Sequence, residues 1–296
     1  MHKVAILGSS GLLGFGLTSF LSRNEFEVTE FNRDGNSRSS QIRGARIDVE
    51  TFNSNQFMKE LEGIKTVVNC IGMIKHRIQG DSQDSLRLTS LVNGEFPKVL
   101  DQLALNNGLH IIQVGTDCVY SGADGNYDEN SPKDATDPYG SSKIIGEESL
   151  KKTLLLRTSF IGREEKTQVE FLEWVLKHER NAEILGYTNH LWNGVTVLQL
   201  ARVISGIIRR DDSKSGVQHL VPKNFVSKFD LAGQVASKFG RVDLVIEPME
   251  TPSSVDRRLK TAHQAENDRL WLDAGYPSIP TIEEMLDEYV MWIGLS

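Results

Sequence analysis

The sequence predicts an α/β fold, a doubly wound parallel sheet with a smaller α/β lobe toward its C-terminal end. Strand-like and helix-like stretches alternate through the first half of the 296 residues. The strand-like stretches are short, continuous apolar runs, which are typical of strands buried on both faces. A glycine-rich turn separates the first strand from the first helix. Strands joined through helices need crossover connections, so the sheet is parallel with helices on both faces.

The first half contains six predicted strands and four predicted helices. The strands are predicted at residues 4–7, 26–31, 45–49, 66–71, 110–114 and 154–157. The helices are predicted at residues 12–21, 52–61, 85–106 and 139–152. A polar loop containing glycine and proline occupies residues 121–138 and precedes the last of these helices.

After residue 160 the alternation becomes less regular. Helices are predicted at 169–179, 198–210, 228–239 and 282–293, with strands at 218–221 and 244–246. We therefore expect a dinucleotide-binding domain from residues 1–160 with a returning segment at 195–216. The substrate-binding lobe would comprise residues 161–194 and 217–296.

Composition excludes several classes of function. The net charge of −7 provides no attraction for the phosphates of nucleic acid, so no nucleic-acid partner is expected. No apolar run approaches the ~18 residues of a membrane helix, and the N-terminus lacks the features of a signal peptide, which together predict a cytoplasmic protein. Cys70 and Cys118 are predicted to be buried free thiols, and no metal site is expected.

The glycine-rich turn predicts a dinucleotide site. Gly8, Gly11 and Gly14 follow the first strand and open the first helix, with Ser10, Leu12 and Leu13 between them. Glycine here allows a tight turn, close approach of the backbone to a pyrophosphate, and close packing of helix on strand. The free N–H groups at the helix start then hold the phosphates.

The end of the second strand bears on the choice between NADPH and NADH. It runs into Asn32 and Arg33, and Arg33 can bind a 2′-phosphate, which favours NADPH. Glu30 or Asp34 could instead bind the free ribose hydroxyl of NADH. A solvated loop arginine is the alternative for Arg33.

A tyrosine and a lysine begin the helix predicted from residue 139. Tyr139 and Lys143 are four residues apart and share one face of that helix. A tyrosine with a pKa of ~10 relays protons poorly at neutral pH, so we expect the Lys143 ammonium to lower the pKa of Tyr139. Thr116 ends a strand at the carboxyl edge of the sheet, where it can hydrogen-bond a substrate carbonyl.

These residues resemble the extended short-chain dehydrogenase/reductases, and within them the dTDP-4-dehydrorhamnose reductase family. The resemblance rests on GTDCVYSG (115–122), the acidic loop with Tyr127 and Glu129, DPYGSSKIIGE (137–147) and LLLRTSFIG (154–162). It covers nearly the whole chain, most clearly up to residue 160.

The resemblance implies a catalytic triad of Thr116, Tyr139 and Lys143, with Tyr139 and Lys143 also contacting the cofactor. It places Asp48 and Val49 at the adenine. Cys70, Ile71 and Gly72 follow Asn69 at the strand end beside the adenosine ribose. It implies that Asn93 shapes the site and that Thr158 and Ser159 line the cleft. The substrate-binding residues expected are Lys75, Asp117, Cys118, Val119, Ser159 and Trp192.

Two segments depart from the family pattern, residues 73–78 and 192–194. Lys75, His76 and Arg77 could contact a substrate diphosphate or form a solvated loop. Trp192 could stack on a nucleotide base or serve as a core or lid aromatic. These departures leave the sugar and the nucleotide open.

The resemblance implies NAD(P)H-dependent reduction of a 4-keto-6-deoxy nucleotide sugar in deoxysugar and surface-polysaccharide biosynthesis. NADPH is the expected cofactor, with NADH as the alternative, and the enzyme could be a homodimer. A nucleotide-sugar epimerase or dehydratase with tightly bound NAD is the first alternative function. Dehydratases place an acidic pair after the threonine, whereas Asp117 and Cys118 follow Thr116 here. The second alternative is a non-catalytic dinucleotide-binding regulatory subunit.

Overall fold

A computed structural model describes residues 1–78, 82–148, 150–164 and 168–294. Its strands are β1 (His2–Leu7), β2 (Phe26–Asn32), β3 (Arg43–Arg46), β4 (Thr66–Asn69), β5 (His110–Gly115), β6 (Thr153–Arg157), β7 (Phe160–Ile161), β8 (Glu183–Tyr187), β9 (His190–Trp192), β10 (Val195–Thr196), β11 (Gly216–His219), β12 (Val226–Ser227), β13 (Val245–Met249) and β14 (Val255–Asp256).

The helices cover the sheet and build much of the lobe. They are α1 (Leu12–Leu21), α2 (Ser54–Glu60), α3 (Gln83–Thr89), α4 (Phe96–Asn107), α5 (Pro138–Glu147), α6 (Phe171–Leu176), α7 (Val197–Arg210), α8 (Lys228–Lys238), α9 (Gln264–Asp273) and α10 (Ile282–Trp292). A π-helical segment, Ser90–Glu95, joins α3 to α4, so the long helix predicted at 85–106 is confirmed with a local widening at its centre. None of the described helices is long and apolar enough to cross a membrane.

The predicted doubly wound parallel sheet is confirmed. Seven parallel strands lie in the order β11-β6-β5-β4-β1-β2-β3. The order reverses between β1 and β4, and ligands of such sheets bind in the crevice at the carboxyl ends of the strands there. The apolar residues of β1 alternate between two cores: Val4 and Ile6 join one, Ala5 and Leu7 the other.

The chain returns to the sheet after residue 194. Helix α7 packs against α1, and β11 then pairs in parallel with β6. The returning segment therefore continues to His219. The remaining strands form three small sheets, β10-β7, β12-β9-β14 and β13-β8, which pack with α6, α8 and α10 beside the carboxyl edge of the main sheet.

Helix α5 ends at Glu147, five residues before the predicted end. Asp101 explains why the helix does not reach residue 152, because its carboxylate is almost fully buried and accepts hydrogen bonds from the N–H groups of Lys151, Lys152 and Thr153. The Thr153 hydroxyl donates a fourth bond. Backbone N–H groups that bond Asp101 cannot also bond carbonyls in a continuing helix.

We predict that Asp101→Asn lowers the free energy of unfolding by about 2–3 kcal/mol, because an amide replaces an anion that accepts several hydrogen bonds. Burial acts to raise the pKa of Asp101, but these hydrogen bonds outweigh it and hold the pKa below its ordinary value. The stabilisation is therefore complete above the unfolded pKa and is lost as the pH falls through the folded one. Urea denaturation of both proteins between pH 7 and pH 3 measures the effect.

The control is Asp34→Asn, at an exposed aspartate. It should unfold like the wild type at every pH. A constant difference between Asp101→Asn and the wild type down to pH 3 would contradict the assigned role of the carboxylate.

Candidate active site

A cavity of about 330 Å³ opens at the carboxyl edge of the main sheet. The ends of β4 and β5 and the residues that follow β6 line it, together with the turn after β1, and Glu170, which precedes α6, also lines it. The wall contains these predicted site residues: Ser10, Gly11, Leu12, Leu13, Cys70, Ile71, Gly72, Lys75, Thr116, Asp117, Cys118, Tyr139, Lys143 and Ser159. Residues from five separate stretches of sequence therefore meet in one cleft.

The glycine-rich turn forms the end of this cleft nearest α1. Gly8 has a φ of +78°, which favours glycine, and its N–H donates to Phe31 O at 2.8 Å. A Cβ on Gly14 would lie 2.3 Å from Gly8 O, so only glycine lets α1 start this close to β1. The N-cap of α1 is Gly11, which has no side chain to cap the helix. The first N–H groups of α1 thus suit an anion better than an internal partner.

Thr116 and Tyr139 are brought together by the start of α5. Thr116 directly follows β5, and its Oγ1 accepts from Cys118 N at 3.1 Å. Asp137 caps α5 by accepting from Tyr139 N and Gly140 N at 3.2 and 3.3 Å. A Cβ on Gly140 would lie 2.5 Å from Cys118 O, so glycine there lets α5 sit against the strand end.

The pKa of Tyr139 shifts opposite to the predicted direction. Burial, followed by the charges of Cys118 and Asp117, raises the pKa of Tyr139 above its ordinary value, while the Thr116 hydroxyl acts against the rise. Burial also lowers the pKa of Lys143 to about 8, despite the opposing charge of Glu147. The Lys143 Nζ lies 5.9 Å from the centroid of the Tyr139 ring, so desolvation outweighs its attraction for a phenolate. Tyr139 is therefore a protonated phenol at neutral pH.

Asn93, within the π-helical segment, fixes the cleft wall to α5. Asn93 is buried, and its Oδ1 accepts a hydrogen bond from Met73 N at 2.9 Å. Its Nδ2 donates to Met73 O and to Ser142 Oγ, both at 3.0 Å. Lys75 Nζ lies 3.9 Å from Asp137 Oδ1 at the same wall. These contacts attach the segment 73–78, which departs from the family pattern, to the helix that carries Tyr139 and Lys143.

The other predicted adenosine contacts, at Asn32, Arg33, Asp48 and Val49, follow the ends of β2 and β3 and are not part of the cavity wall. The Asn32 amide donates to Ser9 Oγ at 3.2 Å and to Asn36 O at 2.8 Å, so it shapes the turn after β2. Arg33 is exposed. Asp48 and Val49 follow β3, and Asp48 accepts from the N–H of Glu50.

Two of the predicted substrate residues pack in the interior. Val119 is fully buried, and Trp192 is 4% exposed within the main core. The indole N–H of Trp192 donates to Ser159 Oγ at 2.9 Å, so it reaches the cleft through Ser159. Of the two alternatives that the sequence left open for Trp192, this position corresponds to the core or lid aromatic and not to a ring stacked on a nucleotide base.

Sequence reasoning missed Arg38. Its guanidinium carbon lies 4.0 Å from the centroid of Phe15 in α1, and its Nη2 lies 3.5 Å from Ser10 O in the glycine-rich turn. The Arg38 N–H also donates to the buried carboxylate of Glu30 at 3.2 Å. Arg38 is 28 residues from Ser10, and no spacing rule connects the two.

A second feature missed from sequence is the buried guanidinium of Arg157, at the end of β6. It pairs with Glu147 of α5 and donates to Tyr120 Oη at 3.0 Å. Its Nη1 also lies 2.9 Å from His219 Nε2. Since His219 Nδ1 lies 2.8 Å from Lys260 O, the proton is on Nδ1 and Nε2 accepts from Arg157. Burial and the Arg157 charge lower the pKa of His219 to about 4, so the ring is neutral.

The family model described as the RmlD substrate binding domain matches residues 1–290 of the chain. A dTDP-4-dehydrorhamnose reductase of Streptomyces griseus is 28% identical over 168 residues, which cover 53% of this chain and 49% of that protein. The match thus spans about half the length of this curated relative.

Solved structures share the fold over almost the whole chain. A dTDP-4-dehydrorhamnose reductase from Bacillus anthracis in complex with NADP has a TM-score of 0.76 at 19% identity, with 99% of both chains covered. UDP-glucuronic acid 4-epimerase from Bacillus cereus in complex with UDP-glucuronic acid and NAD has a TM-score of 0.73 at 15% identity, covering 98% of this chain and 99% of that one. At these identities the likeness establishes the fold.

We predict that Gly14→Ala weakens dinucleotide binding at least about ten-fold, because the new Cβ forces the first turn of α1 away from Gly8 O. Fluorescence titration with NADPH measures the dissociation constant. The matched control is Gly233→Ala in α8, where a Cβ meets nothing within 4 Å, and its dissociation constant should equal that of the wild type. Unchanged binding by Gly14→Ala would exclude the glycine-rich turn as the phosphate site.

Proposed function

We propose that this chain, which belongs to the family of the RmlD substrate binding domain, is an NAD(P)H-dependent reductase of a 4-keto nucleotide sugar. The observation that carries the proposal is the convergence of Thr116, Tyr139 and Lys143 on a cleft that begins at an uncapped, glycine-rich helix start. Residues 1–160 and the returning segment would bind the dinucleotide, and the lobe would bind the sugar nucleotide. We further propose a cytoplasmic enzyme that acts in deoxysugar and surface-polysaccharide biosynthesis.

The residues present fit a nicotinamide dinucleotide. The first N–H groups of α1 would hold the pyrophosphate, since Gly11 leaves them without a side-chain cap. Cys70, Ile71 and Gly72 would lie beside the adenosine ribose, and Lys143 would hydrogen-bond the nicotinamide ribose. The curated and structural relatives named above support this assignment, one of them being complexed with NADP. When bound, NADPH supplies the hydride for the ketone carbon.

Side chains of the protein supply the proton for the reduced carbonyl oxygen. Tyr139, whose raised pKa keeps the phenol protonated, donates its proton to the developing alkoxide oxygen. The Thr116 hydroxyl orients the carbonyl by donating to the same oxygen. The Lys143 ammonium is protonated below its pKa of about 8 and stabilises the phenolate that remains. A protonated tyrosine suits the reductive direction, in which the enzyme must deliver an acid.

Arg38 is the residue we assign to cofactor selection. Its guanidinium carbon lies 4.0 Å from the centroid of the Phe15 ring, and its Nη2 lies 3.5 Å from Ser10 O in the glycine-rich turn. Glu30, the acidic candidate for an NADH ribose, is buried and turned toward the Arg38 N–H. A 2′-phosphate therefore finds a cation here, and we propose that NADPH is preferred.

We predict that Arg38→Ala weakens NADPH binding about ten- to a hundred-fold, which corresponds to the ~1.5–3 kcal/mol of a hydrogen bond to a charged group. NADH binding should change by less than about two-fold, since NADH lacks the phosphate. Fluorescence titrations with both cofactors measure this, with Arg33→Ala as the matched control. If Arg33→Ala loses NADPH affinity and Arg38→Ala retains it, the phosphate is bound by Arg33 instead.

We predict that Tyr139→Phe lowers kcat about 100- to 10,000-fold, because the proton donor is removed while the ring remains. The dissociation constant for NADPH should stay within about two-fold of the wild type. NADPH oxidation is followed against 4-keto sugars carried on dTDP, UDP, GDP and CDP. Tyr187→Phe, at an exposed tyrosine outside the cleft, should behave as the wild type.

Two outcomes would favour the alternative functions. A nicotinamide cofactor that copurifies with the wild type and recycles without net oxidation would indicate an epimerase or dehydratase. Absence of NADPH oxidation by the wild type with every keto sugar would indicate a non-catalytic dinucleotide-binding subunit.

A further inference from the structure

The segment 192–194, which departs from the family pattern, packs against the residues that follow β6. Trp192 is 4% exposed, and its indole N–H donates to Ser159 Oγ at 2.9 Å. Gly194 is buried as well, and a Cβ there would lie 2.3 Å from Ser159 O and 2.4 Å from Trp192 Cζ2. Glycine at position 194 is thus required for the close approach that brings the indole to Ser159.

Asn193 fixes the same segment to the lobe. Its Nδ2 donates to Leu259 O at 2.7 Å, and its Oδ1 accepts from Leu259 N at 2.9 Å. The N–H of Val195, the next residue, donates to Ser159 O at 2.9 Å. Each residue of the segment 192–194 therefore has a contact that holds either Ser159 or the chain beside it.

These contacts leave the hydroxyl hydrogen of Ser159 available to a ligand. Ser159 Oγ accepts from the indole of Trp192, and within the residues that the structure describes it donates to no protein acceptor. Ser159 is partly exposed and lines the cavity. A hydroxyl that accepts from an N–H is polarised by that bond, so it donates its own hydrogen more strongly.

The neighbouring hydroxyl of Thr158 does not compete for this role. Thr158 is 1% exposed, and its Oγ1 lies 3.1 Å from Ser159 O and 3.3 Å from Leu220 O, to which it donates. Both acceptors are backbone carbonyls, so the Thr158 hydrogen is satisfied within the protein. Of the two hydroxyls that follow β6, Ser159 carries the one that can donate into the cleft.

The register of the sheet places Ser159 beside Thr116. Gly115, at the end of β5, is paired with Arg157, at the end of β6. Thr116 and Ser159 follow these paired residues by one and two positions, and both line the cavity. Neighbouring strands lie about 4.8 Å apart. A sugar whose carbonyl oxygen is bound by Thr116 therefore brings the substituent next to that carbonyl within reach of Ser159.

We propose that Trp192 holds Ser159 as a directed hydrogen-bond donor, and that Ser159 binds the hydroxyl group next to the ketone of the sugar. This inference rests on the proposed function, because it names a specificity determinant of that keto-sugar site. Ser159 contacts the substrate, whereas Trp192 is a positioning residue that acts through Ser159. A sugar that carries an oxygen at this position is bound, and a sugar that lacks it leaves the Ser159 hydroxyl unpaired.

The test is steady-state NADPH oxidation with the best 4-keto nucleotide sugar of the panel and with its 3-deoxy analogue, which lacks the hydroxyl next to the ketone. Ser159→Ala should raise KM for the sugar about five- to ten-fold and leave kcat within about two-fold, because the bond is present in both the ground state and the transition state. The wild type should show a similar rise in KM with the 3-deoxy analogue. Ser159→Ala should no longer distinguish the two sugars.

A double-mutant cycle tests the positioning role of Trp192. Trp192→Phe keeps a ring in the core but removes the N–H that holds Ser159. It should raise KM about three-fold or more when Ser159 is present and have no effect on KM in the Ser159→Ala background. A ring that only supported the fold would change KM equally in both backgrounds.

Trp271→Phe is the matched control. Trp271 is 1% exposed, and its indole N–H donates to Val221 O at 2.9 Å, but Trp271 does not line the cavity. Because Trp271→Phe loses the same kind of buried hydrogen bond, its Tm should fall as that of Trp192→Phe does, while its KM equals that of the wild type. The NADPH dissociation constant should be unchanged in every variant.

Three results would overturn the inference. The first is an unchanged KM for the sugar in Ser159→Ala. The second is an equal effect of Trp192→Phe with and without Ser159. The third is a weakened NADPH dissociation constant in Ser159→Ala, which would assign the hydroxyl to the cofactor instead of the sugar.

A binding measurement keeps this inference distinct from the proposed function. Isothermal titration of the NADP-bound protein with the same sugars measures their affinity without reduction. Affinity that falls about five- to ten-fold in Ser159→Ala, in a protein that reduces none of the sugars, would leave the hydrogen bond and remove the reductase. Reduction with an unchanged KM in Ser159→Ala would leave the reductase and remove the hydrogen bond. Absence of binding by every sugar would remove both.

Discussion

The buried guanidinium of Arg157 is the contact on which the geometry of the cleft depends. It joins the end of β6 to Glu147 of α5, to Tyr120 of the loop after β5, and to His219 at the end of β11. Glu129 extends the network by accepting from His219 N at 2.8 Å and from residues of the lobe. A buried ion pair is weak evidence of stability, because desolvation offsets its attraction. The Arg157–Glu147 pair instead fixes positions in the cleft, because Lys143 lies one helical turn before Glu147, and Thr158 and Ser159 directly follow Arg157.

That network explains why a loop can complete the site. Tyr120 and Tyr127 stack at 4.3 Å between ring centroids, and Tyr127 pairs by backbone hydrogen bonds with the segment around Leu259. The acidic loop therefore bridges the end of β5 and that segment of the lobe. A displacement of β6 would therefore also shift Thr116, α5 and the lobe. The order of the cleft is thus a property of the packed strand ends and of the buried polar network that joins them.

Most of the fold and the centre of the site could be predicted, because both follow local rules. Helix α1 was predicted with its observed bounds, since a strand, a glycine-rich turn and an apolar helix adjoin each other in sequence. Thr116, Tyr139 and Lys143 were predicted from spacing and strand-end position. The end of α5 was not, because Asp101, which binds the backbone after it, is about 50 residues away. The strands of the lobe are two to five residues long, too short for a periodic signal, and α9 was missed as well.

The residues that sequence reasoning missed share one property: their environment is made by distant parts of the chain. Arg38 lies beside the glycine-rich turn only because the fold brings Ser10 and Phe15 next to it. The pKa of Tyr139 also illustrates this, since a lysine four residues away predicts a lowered value but burial raises it. Spacing along a helix identifies which groups are neighbours, whereas desolvation decides the charge they carry. In this cleft desolvation keeps the Tyr139 phenol neutral, which is the protonation state that the proposed proton donor needs.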